Sequence, residues 1–167
     1  MTALARHVVA SPVGALTLVA EDAGLVAILW PDTGEATRVP LPDTHDDASH
    51  PVLREAAAQL DAYFAGTRRR FDLPLAPRGT AFQRRVWDAL AAIPFGATRS
   101  YADIAAAIGS PVAVRAVGAA NGRNPISIVI PCHRVVGSGG ALTGFAGGLA
   151  AKRHLLAFES AQGGFGF

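Results

Sequence analysis

The chain has 167 residues, of which 50% are hydrophobic and 17% charged, a composition that indicates a globular protein and excludes a disordered one. It lacks both an apolar run of about 18 residues and the pattern of a signal peptide, so we expect a cytoplasmic protein with no membrane span. A single Cys excludes an internal disulfide and a zinc site made of several thiolates, and we expect no bound metal.

The net charge of +2 conceals an asymmetry between the two halves of the chain. Residues 1–77 contain six Arg against ten Asp and Glu, whereas residues 78–167 contain eight Arg and one Lys against three acidic residues. The basic half is suited to contact with a polyanion. A solvated basic surface would have the same balance, so charge alone leaves both interpretations open.

The N-terminal half predicts a small sheet and one helix. Three apolar runs separated by turn residues predict a β-meander over residues 6–30. Residues 31–50 are acidic and proline-rich without periodicity, and they predict an irregular loop. Residues 51–64 have the apolar spacing of a helix that Gly66 stops, and residues 71–75 predict the last strand of this unit.

The C-terminal half predicts mostly helices. Thr80 and Ser100 are each placed to cap a helix, the second of which covers residues 101–108. A turn at Gly109-Ser110-Pro111 leads to a further helix over residues 112–121. Two helices joined by a short turn that contains Gly are typical of a helix-turn-helix.

A proline-rich linker marks the predicted domain boundary. It separates an N-terminal domain over residues 1–76 from a C-terminal domain over residues 77–160. A last helix is predicted over residues 149–158. Residues 161–167 contain three Gly and predict a flexible tail.

The helix predicted over residues 112–121 has mostly small side chains, and Arg115 is its one charge. Small residues let a helix approach a groove or another backbone closely. The lack of charged and amide side chains argues against a transcription factor that reads bases in the major groove. An exposed Arg on a packed helix is the alternative interpretation.

The one cysteine lies in Pro131-Cys132-His133-Arg134-Val135, directly after the apolar residues 126–130. The neighbours His133 and Arg134 are cations or can become so, and they favour the thiolate, which is the nucleophilic form. A buried segment that turns at the sulfur would hold a nucleophile rigidly. A structural buried Cys is the alternative.

Together these segments resemble the O6-alkylguanine-DNA alkyltransferase family, the methylated-DNA–protein-cysteine methyltransferases. The matching blocks fall in order over residues 79–159, and the N-terminal half fits more loosely. In chain order they are Gly79-Thr80-Ala81-Phe82-Gln83, Ile93-Pro94-Phe95-Gly96, Ser100-Tyr101, Arg115-Ala116-Val117-Gly118, Asn124-Pro125, Pro131-Cys132-His133-Arg134-Val135, Gly144-Phe145-Ala146-Gly147-Gly148-Leu149, Lys152 and Leu155-Leu156-Ala157-Phe158-Glu159.

The resemblance implies an α+β two-domain fold. Its N-terminal domain is a ribonuclease-H-like antiparallel sheet with one or two helices, and its C-terminal domain is mostly helical with a winged-helix-like helix-turn-helix. The implied function is DNA repair by direct, irreversible transfer of an alkyl group from O6-alkylguanine in duplex DNA to Cys132, once per molecule and without a cofactor. The expected partner is double-stranded DNA that contains O6-alkylguanine. We expect a monomer with no obligate protein partner, and cooperative assembly on DNA is left open.

The resemblance also implies roles for individual residues. Cys132 is the nucleophile, His133 is its base through a water, Glu159 orients His133, and Asn124 fixes the turn before the active-site segment. Tyr101 crowds the flipped phosphate and donates a hydrogen bond to the guanine ring.

The implied DNA contacts place the second helix of the helix-turn-helix in the minor groove, where Arg115 fills the gap left by the flipped nucleotide. The remaining DNA-binding residues implied are Tyr101, Ser110, Ala113, Ala116, Gly118 and Ser138. The implied substrate pocket consists of Tyr101, Val135, Val136, Phe145 and Ala146.

The chain departs from the family at Phe145, where Tyr is usual. A phenol can hydrogen-bond near the O6 of the base and Phe cannot, so we expect slower transfer. Ala146 is small, which leaves room for groups larger than methyl. The zinc site of some relatives is not expected, because the chain has no second Cys.

Two other functions remain as alternatives. A non-catalytic relative binds the alkylguanine lesion and marks it for other repair, but such proteins replace the Cys that this chain has. A hydrolase built on Cys132 and His133 would turn over repeatedly, whereas an alkyltransferase accepts at most one alkyl group per molecule.

Overall fold

The structure is a computed structural model that describes residues 3–31, 39 and 41–163. It divides into two compact units, Met1–Arg78 and Gly79–Phe167, each of which is described by itself. Within the described residues, every helix is too short or too polar to span a bilayer.

The first unit contains a four-stranded sheet in the order β3-β2-β1-β4. Its strands are β1 (Leu4–Val9), β2 (Leu16–Glu21), β3 (Gly24–Leu29) and β4 (Thr44–Asp46). Strand β2 pairs antiparallel with β1 and with β3, so the predicted meander is confirmed. Side chains on both faces of this sheet are fully buried, among them Leu18, Val19 and Ile28.

Strand β4 corrects the prediction of an irregular loop over residues 31–50. It pairs parallel with β1, with Leu4 opposite Thr44. The Arg6 guanidinium adds bonds from Nε to Asp46 at 2.8 Å and from Nη1 to the Thr44 carbonyl at 3.3 Å. A strand of three residues is too short to show a period, and its partner lies about forty positions away.

The helix α1 covers Pro51–Phe64, as the apolar spacing predicts. Pro51 occupies the first turn, where its missing N–H costs nothing, and the His50 ring accepts a hydrogen bond from the Val52 amide at 3.2 Å. Leu53, Leu60 and neighbouring residues form the buried face of this helix.

The strand predicted over residues 71–75 is wrong, because only Leu75 forms a bridge, to Leu25. Pro74 has no N–H to donate to a ladder. The side-chain amide of Gln59 instead bonds both backbone groups of Asp72, each at 2.9 Å. A side chain therefore takes the place of a neighbouring strand.

The second unit is mainly helical, and with the antiparallel-rich sheet of the first unit it confirms the predicted α+β two-domain class. Its elements are α2 (Ala81–Ala91), β5 (Arg99–Ser100), α3 (Tyr101–Ala107), α4 (Val114–Gly122), β6 (Val135–Val136) and α5 (Leu149–Gly163).

Two capping boxes fix where α2 and α3 begin. The Thr80 hydroxyl accepts from the Gln83 amide, and the Gln83 side chain accepts from the Thr80 amide; Ser100 and Asp103 repeat this arrangement at α3. The Trp87 indole N–H donates to the Ala120 carbonyl at 2.8 Å and fastens α2 to the last turns of α4.

The helix α4 begins at Val114 and not at Val112 as predicted. The Ala113 amide donates to the Ser110 carbonyl at 2.9 Å, which closes a turn. Val112 lies within this turn and is 96% exposed. The turn therefore takes two residues that the small-residue pattern assigned to the helix.

The helix α5 ends later than predicted. It continues past Phe158 to Gly163, so residues 161–163 are helical and do not form part of a tail. No Gly or Pro interrupts the chain between Leu149 and Gln162, which explains the extension. Residues 164–167 of the predicted tail lie outside the described residues.

Candidate active site

Asn124 organises the loop that leads to the cysteine. Its Nδ2 donates to the Ile130 carbonyl at 2.7 Å, and its Oδ1 accepts from the Ile126 amide at 3.0 Å. Asn124 is buried, and without it the Ile126 amide would lose its partner, whereas the Ile130 carbonyl also accepts from the Cys132 amide at 2.8 Å. The side chain thereby fixes both ends of residues 126–130.

Ile128, at the centre of this loop, has a φ of 76°, in the left-handed region that β-branched residues avoid. Such a conformation costs about 1–3 kcal/mol and persists only where the surroundings enforce it. Here the Ile130 amide donates to the Ile126 carbonyl at 2.9 Å, and the side chain of Ile128 is buried. The loop before the cysteine is thus tightly constrained.

Cys132 begins a 3-10 turn that ends at Arg134, and its side chain is 4% exposed. The strand β6 follows at once and pairs parallel with β5, with Ser100 opposite Val136. Because Tyr101 comes directly after Ser100, this pairing brings the start of α3 to the cysteine segment.

Glu159 on α5 binds two consecutive residues of the cysteine segment. Its Oε2 lies 2.8 Å from His133 Nε2 and accepts from Arg134 Nη2 at 2.9 Å, while its Oε1 accepts from Arg134 Nε at 2.8 Å. Arg134 also donates from Nη1 to the Ile93 carbonyl at 2.7 Å. All three side chains are buried. The sequence placed Arg134 as a cation beside the sulfur, whereas its guanidinium is bound to Glu159 and Ile93.

The electrostatics of this cluster favour a neutral imidazole beside an ionised carboxylate. Burial lowers the pKa of His133, although Glu159 acts in the opposite direction. Burial opposes ionisation of Glu159, but hydrogen bonds from His133 and Arg134 outweigh it and lower its pKa to about 2. With Nε2–H donating to Glu159, the unprotonated nitrogen of His133 is Nδ1, which is buried and has no hydrogen-bond partner among the described residues. That nitrogen can accept a proton.

Lys152 is a further residue of the site, and the sequence analysis gave it no role. Its side chain is fully buried, and its Nζ donates to the Thr143 carbonyl at 3.3 Å. Burial lowers the pKa of Lys152, while the charge of Cys132 acts to raise it. A positive charge on Lys152 and a negative charge on Cys132 therefore stabilise each other. One signal could have identified it, because the chain has fourteen Arg and this single Lys.

Tyr101 reaches the same region from α3. Its phenol oxygen lies 2.5 Å from the Thr143 hydroxyl. A Cβ built on Gly118 would lie 3.9 Å from the Tyr101 ring, so α4 passes close to this side chain. The structure thus brings the two halves of the helix-turn-helix together at Tyr101.

The residues implied to contact DNA follow one another along the turn and the start of α4. Arg115 and Ala116 are exposed, while Ser110, Ala113 and Gly118 are partly exposed. The exposed residues Val112 and Val114 extend this surface and were not predicted. The side chain of Ser138 lies outside what the structure describes.

The five residues of the implied substrate pocket differ in burial. Val135 and Val136 are buried, and Tyr101, Phe145 and Ala146 are partly exposed. Val136 lines a cavity of about 240 Å³ that Glu159 also lines. Within the described ranges, no three His, Cys, Asp or Glu side chains cluster as metal ligands would.

Comparisons with known proteins cover both units. A family model described as the DNA-binding domain of 6-O-methylguanine DNA methyltransferase matches residues 81–161, and a model of the ribonuclease-like domain of the same protein matches residues 4–77. A methylated-DNA–protein-cysteine methyltransferase of Methanosarcina acetivorans is 48% identical over 149 residues, or 89% of this chain and 94% of the relative. One of Mycolicibacterium paratuberculosis is 51% identical over 150 residues, or 89% of this chain and 88% of the relative.

Solved structures show the same similarity. The crystal structure of Mycobacterium tuberculosis OGT in complex with DNA matches with a TM-score of 0.85 and 45% sequence identity. The match covers 95% of this chain and 94% of that one. The similarity therefore extends over both units.

Proposed function

Because the chain belongs to the 6-O-methylguanine DNA methyltransferase family, we propose that it repairs duplex DNA by moving the alkyl group of O6-alkylguanine irreversibly onto Cys132. The observation that carries this proposal is the arrangement around the sulfur. Cys132 is followed by His133, whose Nε2 is held by Glu159, and it interacts with the Lys152 cation. This is the set of groups that a thiolate nucleophile needs.

The first step forms the thiolate. Nδ1 of His133 takes the thiol proton of Cys132 through a water, while Glu159 holds the opposite nitrogen and so fixes the tautomer of the imidazole. The burial that lowers the pKa of His133 keeps the imidazole neutral and able to accept a proton near pH 7. The Lys152 ammonium then stabilises the negative charge on sulfur.

The second step transfers the carbon. Sγ of Cys132 attacks the alkyl carbon, a C–S bond forms, and the bond from that carbon to guanine O6 breaks with its electron pair going to the base. A hydrogen bond from the Tyr101 phenol stabilises the charge on the departing guanine. The guanine then takes up a proton from solvent, and His133 releases to solvent the proton that it accepted from the thiol. The products are unmodified guanine and S-alkylcysteine, and the thioether has no route back. Each molecule therefore acts once, and the reaction requires neither a cofactor nor a second protein.

Extrusion of the nucleotide is part of the proposal. Cys132 is 4% exposed, and a base stacked in a duplex cannot reach a sulfur so far from the surface. Turning the nucleotide out of the duplex costs a few kcal/mol. Arg115, exposed on α4, fills the gap from the minor groove. Small residues let the turn and the helix come close to the DNA backbone, and these are Ser110, Ala113, Ala116 and Gly118. Ser138 adds a DNA contact from the loop after β6.

The pocket for the extruded base is proposed to use Val135, Val136, Phe145 and Ala146 together with Tyr101. Asn124 acts indirectly, because its two buried hydrogen bonds hold the loop that presents Cys132. Tyr101, Phe145 and Ala146 are the partly exposed members of this set, whereas both Val residues are buried.

Mass spectrometry tests the reaction after the protein is mixed with a duplex that contains O6-methylguanine. We expect the Cys132 peptide to gain the mass of one methyl group, with no further gain in excess substrate and no gain in Cys132→Ser. Binding of the duplex without any gain in mass would favour the lesion-binding alternative. Release of the methyl group with repeated turnover would favour the hydrolase.

A further inference from the structure

We propose that Thr143 is a positioning residue for the transfer reaction, and that its hydroxyl orients the phenol of Tyr101 toward the substrate. This inference depends on the proposed function, since it concerns the group that assists the departing guanine. No role was assigned to Thr143 from the sequence, and it lies 42 positions from Tyr101 along the chain.

The contact that carries the inference is the pair of hydroxyls. The phenol oxygen of Tyr101 and Oγ1 of Thr143 are 2.5 Å apart, in a partly buried environment. Either oxygen can donate to the other. When Thr143 donates to the phenol oxygen, the phenol proton is free to point at the base. A donor on the phenol oxygen also strengthens the hydrogen bond that the phenol makes in turn, because bonds in a chain polarise one another.

Thr143 is itself held from two sides, which a positioning residue requires. Its carbonyl accepts from Lys152 Nζ at 3.3 Å, and this ties the loop to α5. Its methyl group Cγ2 would lie 3.3 Å from a Cβ built on Gly137, so the methyl packs closely against the residue that follows β6. A β-branched side chain has few χ1 rotamers, and contact at the methyl therefore fixes the direction of the hydroxyl.

The contacts of Thr143 and Lys152 link the region of Cys132 to Tyr101. Lys152 interacts with Cys132 and binds the Thr143 carbonyl, while the Thr143 hydroxyl binds Tyr101. Tyr101 begins α3 and Lys152 lies in α5, so one loop residue connects groups from two helices. Hydrogen bonds thereby join Tyr101 to Lys152 through Thr143, and Lys152 interacts with the nucleophile through charge alone.

The test compares single-turnover rates of methyl transfer from an O6-methylguanine duplex. The rates are measured by rapid quench. Thr143→Val keeps the shape and the carbonyl but removes the hydroxyl, and we expect transfer about tenfold slower. Thr143→Ser restores the hydroxyl, and we expect a rate within about threefold of the unsubstituted protein. Thr98→Val, at an exposed threonine of the same unit, is the control and should transfer at the full rate.

A double-mutant cycle separates positioning from a structural role. If Thr143 acts through the phenol, Thr143→Val has no further effect once Tyr101→Phe is present. Two independent slowdowns that multiply would overturn the inference, as would a full rate in Thr143→Val. In either case the unsubstituted protein still gains one methyl group, so the proposed function stands. Absence of transfer by the unsubstituted protein would instead overturn both.

Discussion

The side chains of His133 and Glu159 meet at 2.8 Å between Nε2 and Oε2, and neither is accessible to solvent. The same carboxylate binds Arg134 through two nitrogens. One ionised group therefore holds the imidazole and neutralises a buried guanidinium. Its removal must affect both the chemistry and the stability of the second unit.

Acid should destabilise the protein through this cluster. The pKa of Glu159 is lowered from 4.5 to about 2, so its stabilising effect is complete above pH 4.5 and is lost as the pH falls toward 2. This loss lowers the free energy of unfolding by about 3 kcal/mol. The pKa of His133 is also lowered in the folded state, so stability starts to fall below its ordinary value of 6.5. Urea unfolding from pH 7 to pH 2 measures both effects.

Glu159→Gln and Asp88→Asn provide the comparison for that measurement. Glu159→Gln leaves the Arg134 charge buried without its counter-charge, and we expect a loss of about 3–5 kcal/mol at pH 7. The free energy of unfolding of this variant should fall less steeply with decreasing pH than that of the unsubstituted protein. Asp88 is exposed, and its substitution should leave the curve unchanged. An equally steep acid limb in Glu159→Gln would contradict the assignment.

Lys152→Met should make Cys132 less reactive, because it removes the buried cation that stabilises the thiolate. We expect the rate of alkylation by iodoacetamide at pH 7 to fall about tenfold, and its pH midpoint to move upward. The neighbouring Arg153 is exposed, and Arg153→Met is the matched control. Equal rates in the two variants would show that Lys152 does not act on the sulfur.

Arg115→Ala should slow transfer from a duplex but not from the free alkylated base. Arg115 is exposed, so its loss should change the free energy of unfolding by no more than about 0.5 kcal/mol. Transfer from duplex O6-methylguanine should slow by about tenfold or more, since the gap in the duplex is no longer filled. Arg123→Ala tests whether the loss of any exposed cation slows transfer from the duplex. O6-benzylguanine serves as the free alkylated base. A parallel loss with the free base would refute the role in flipping.

Gly79→Ala and Gly122→Ala should change stability in opposite directions. A Cβ on Gly79 would lie 2.4 Å from the Trp87 ring, which must then move and weaken its bond to the Ala120 carbonyl. We expect a loss of about 1–3 kcal/mol. Gly122 is within α4 and has nothing within 4 Å of its Cβ position, so Ala there should be neutral or stabilise by up to about 1 kcal/mol. Thermal unfolding of both variants decides the matter.

Phe145→Tyr should accelerate transfer if the missing phenol limits the rate. Phe145 is partly exposed, so a hydroxyl can be added without burying an unsatisfied polar group. We expect a gain of about threefold to tenfold in the single-turnover rate, equivalent to one hydrogen bond to the base. An unchanged rate would mean that Phe145 serves only as an apolar wall.

Elements with local signals were predictable from the sequence. The helix of residues 51–64 was predicted from the apolar spacing of its own residues, and the caps at Thr80 and Ser100 depend on residues within the first turn of each helix. The strand predicted over residues 71–75 failed because pairing is decided at a distance. Gln59 binds Asp72 from 13 positions away, and no local pattern reports such a contact.

The same distinction applies to the site. The motif around Cys132 named candidates for the chemistry, but it did not predict the partners of two cations. Arg134 stands beside Cys132 in sequence and binds Glu159 from 25 positions away. Lys152, which interacts with Cys132 through charge, appeared in the sequence only as one of the residues that match the family, because the direction of a helix side chain depends on the packing of the whole unit.

The burial of Lys152 has a practical consequence for following the protein in solution. It is the one lysine in the chain, and it lies within α5. A lysine-specific protease therefore meets no accessible cleavage point while the helix is closed, and a single cut divides the polypeptide when the helix opens. The amount of intact polypeptide, read on a gel over time, then measures the opening of the helix that carries both Lys152 and Glu159.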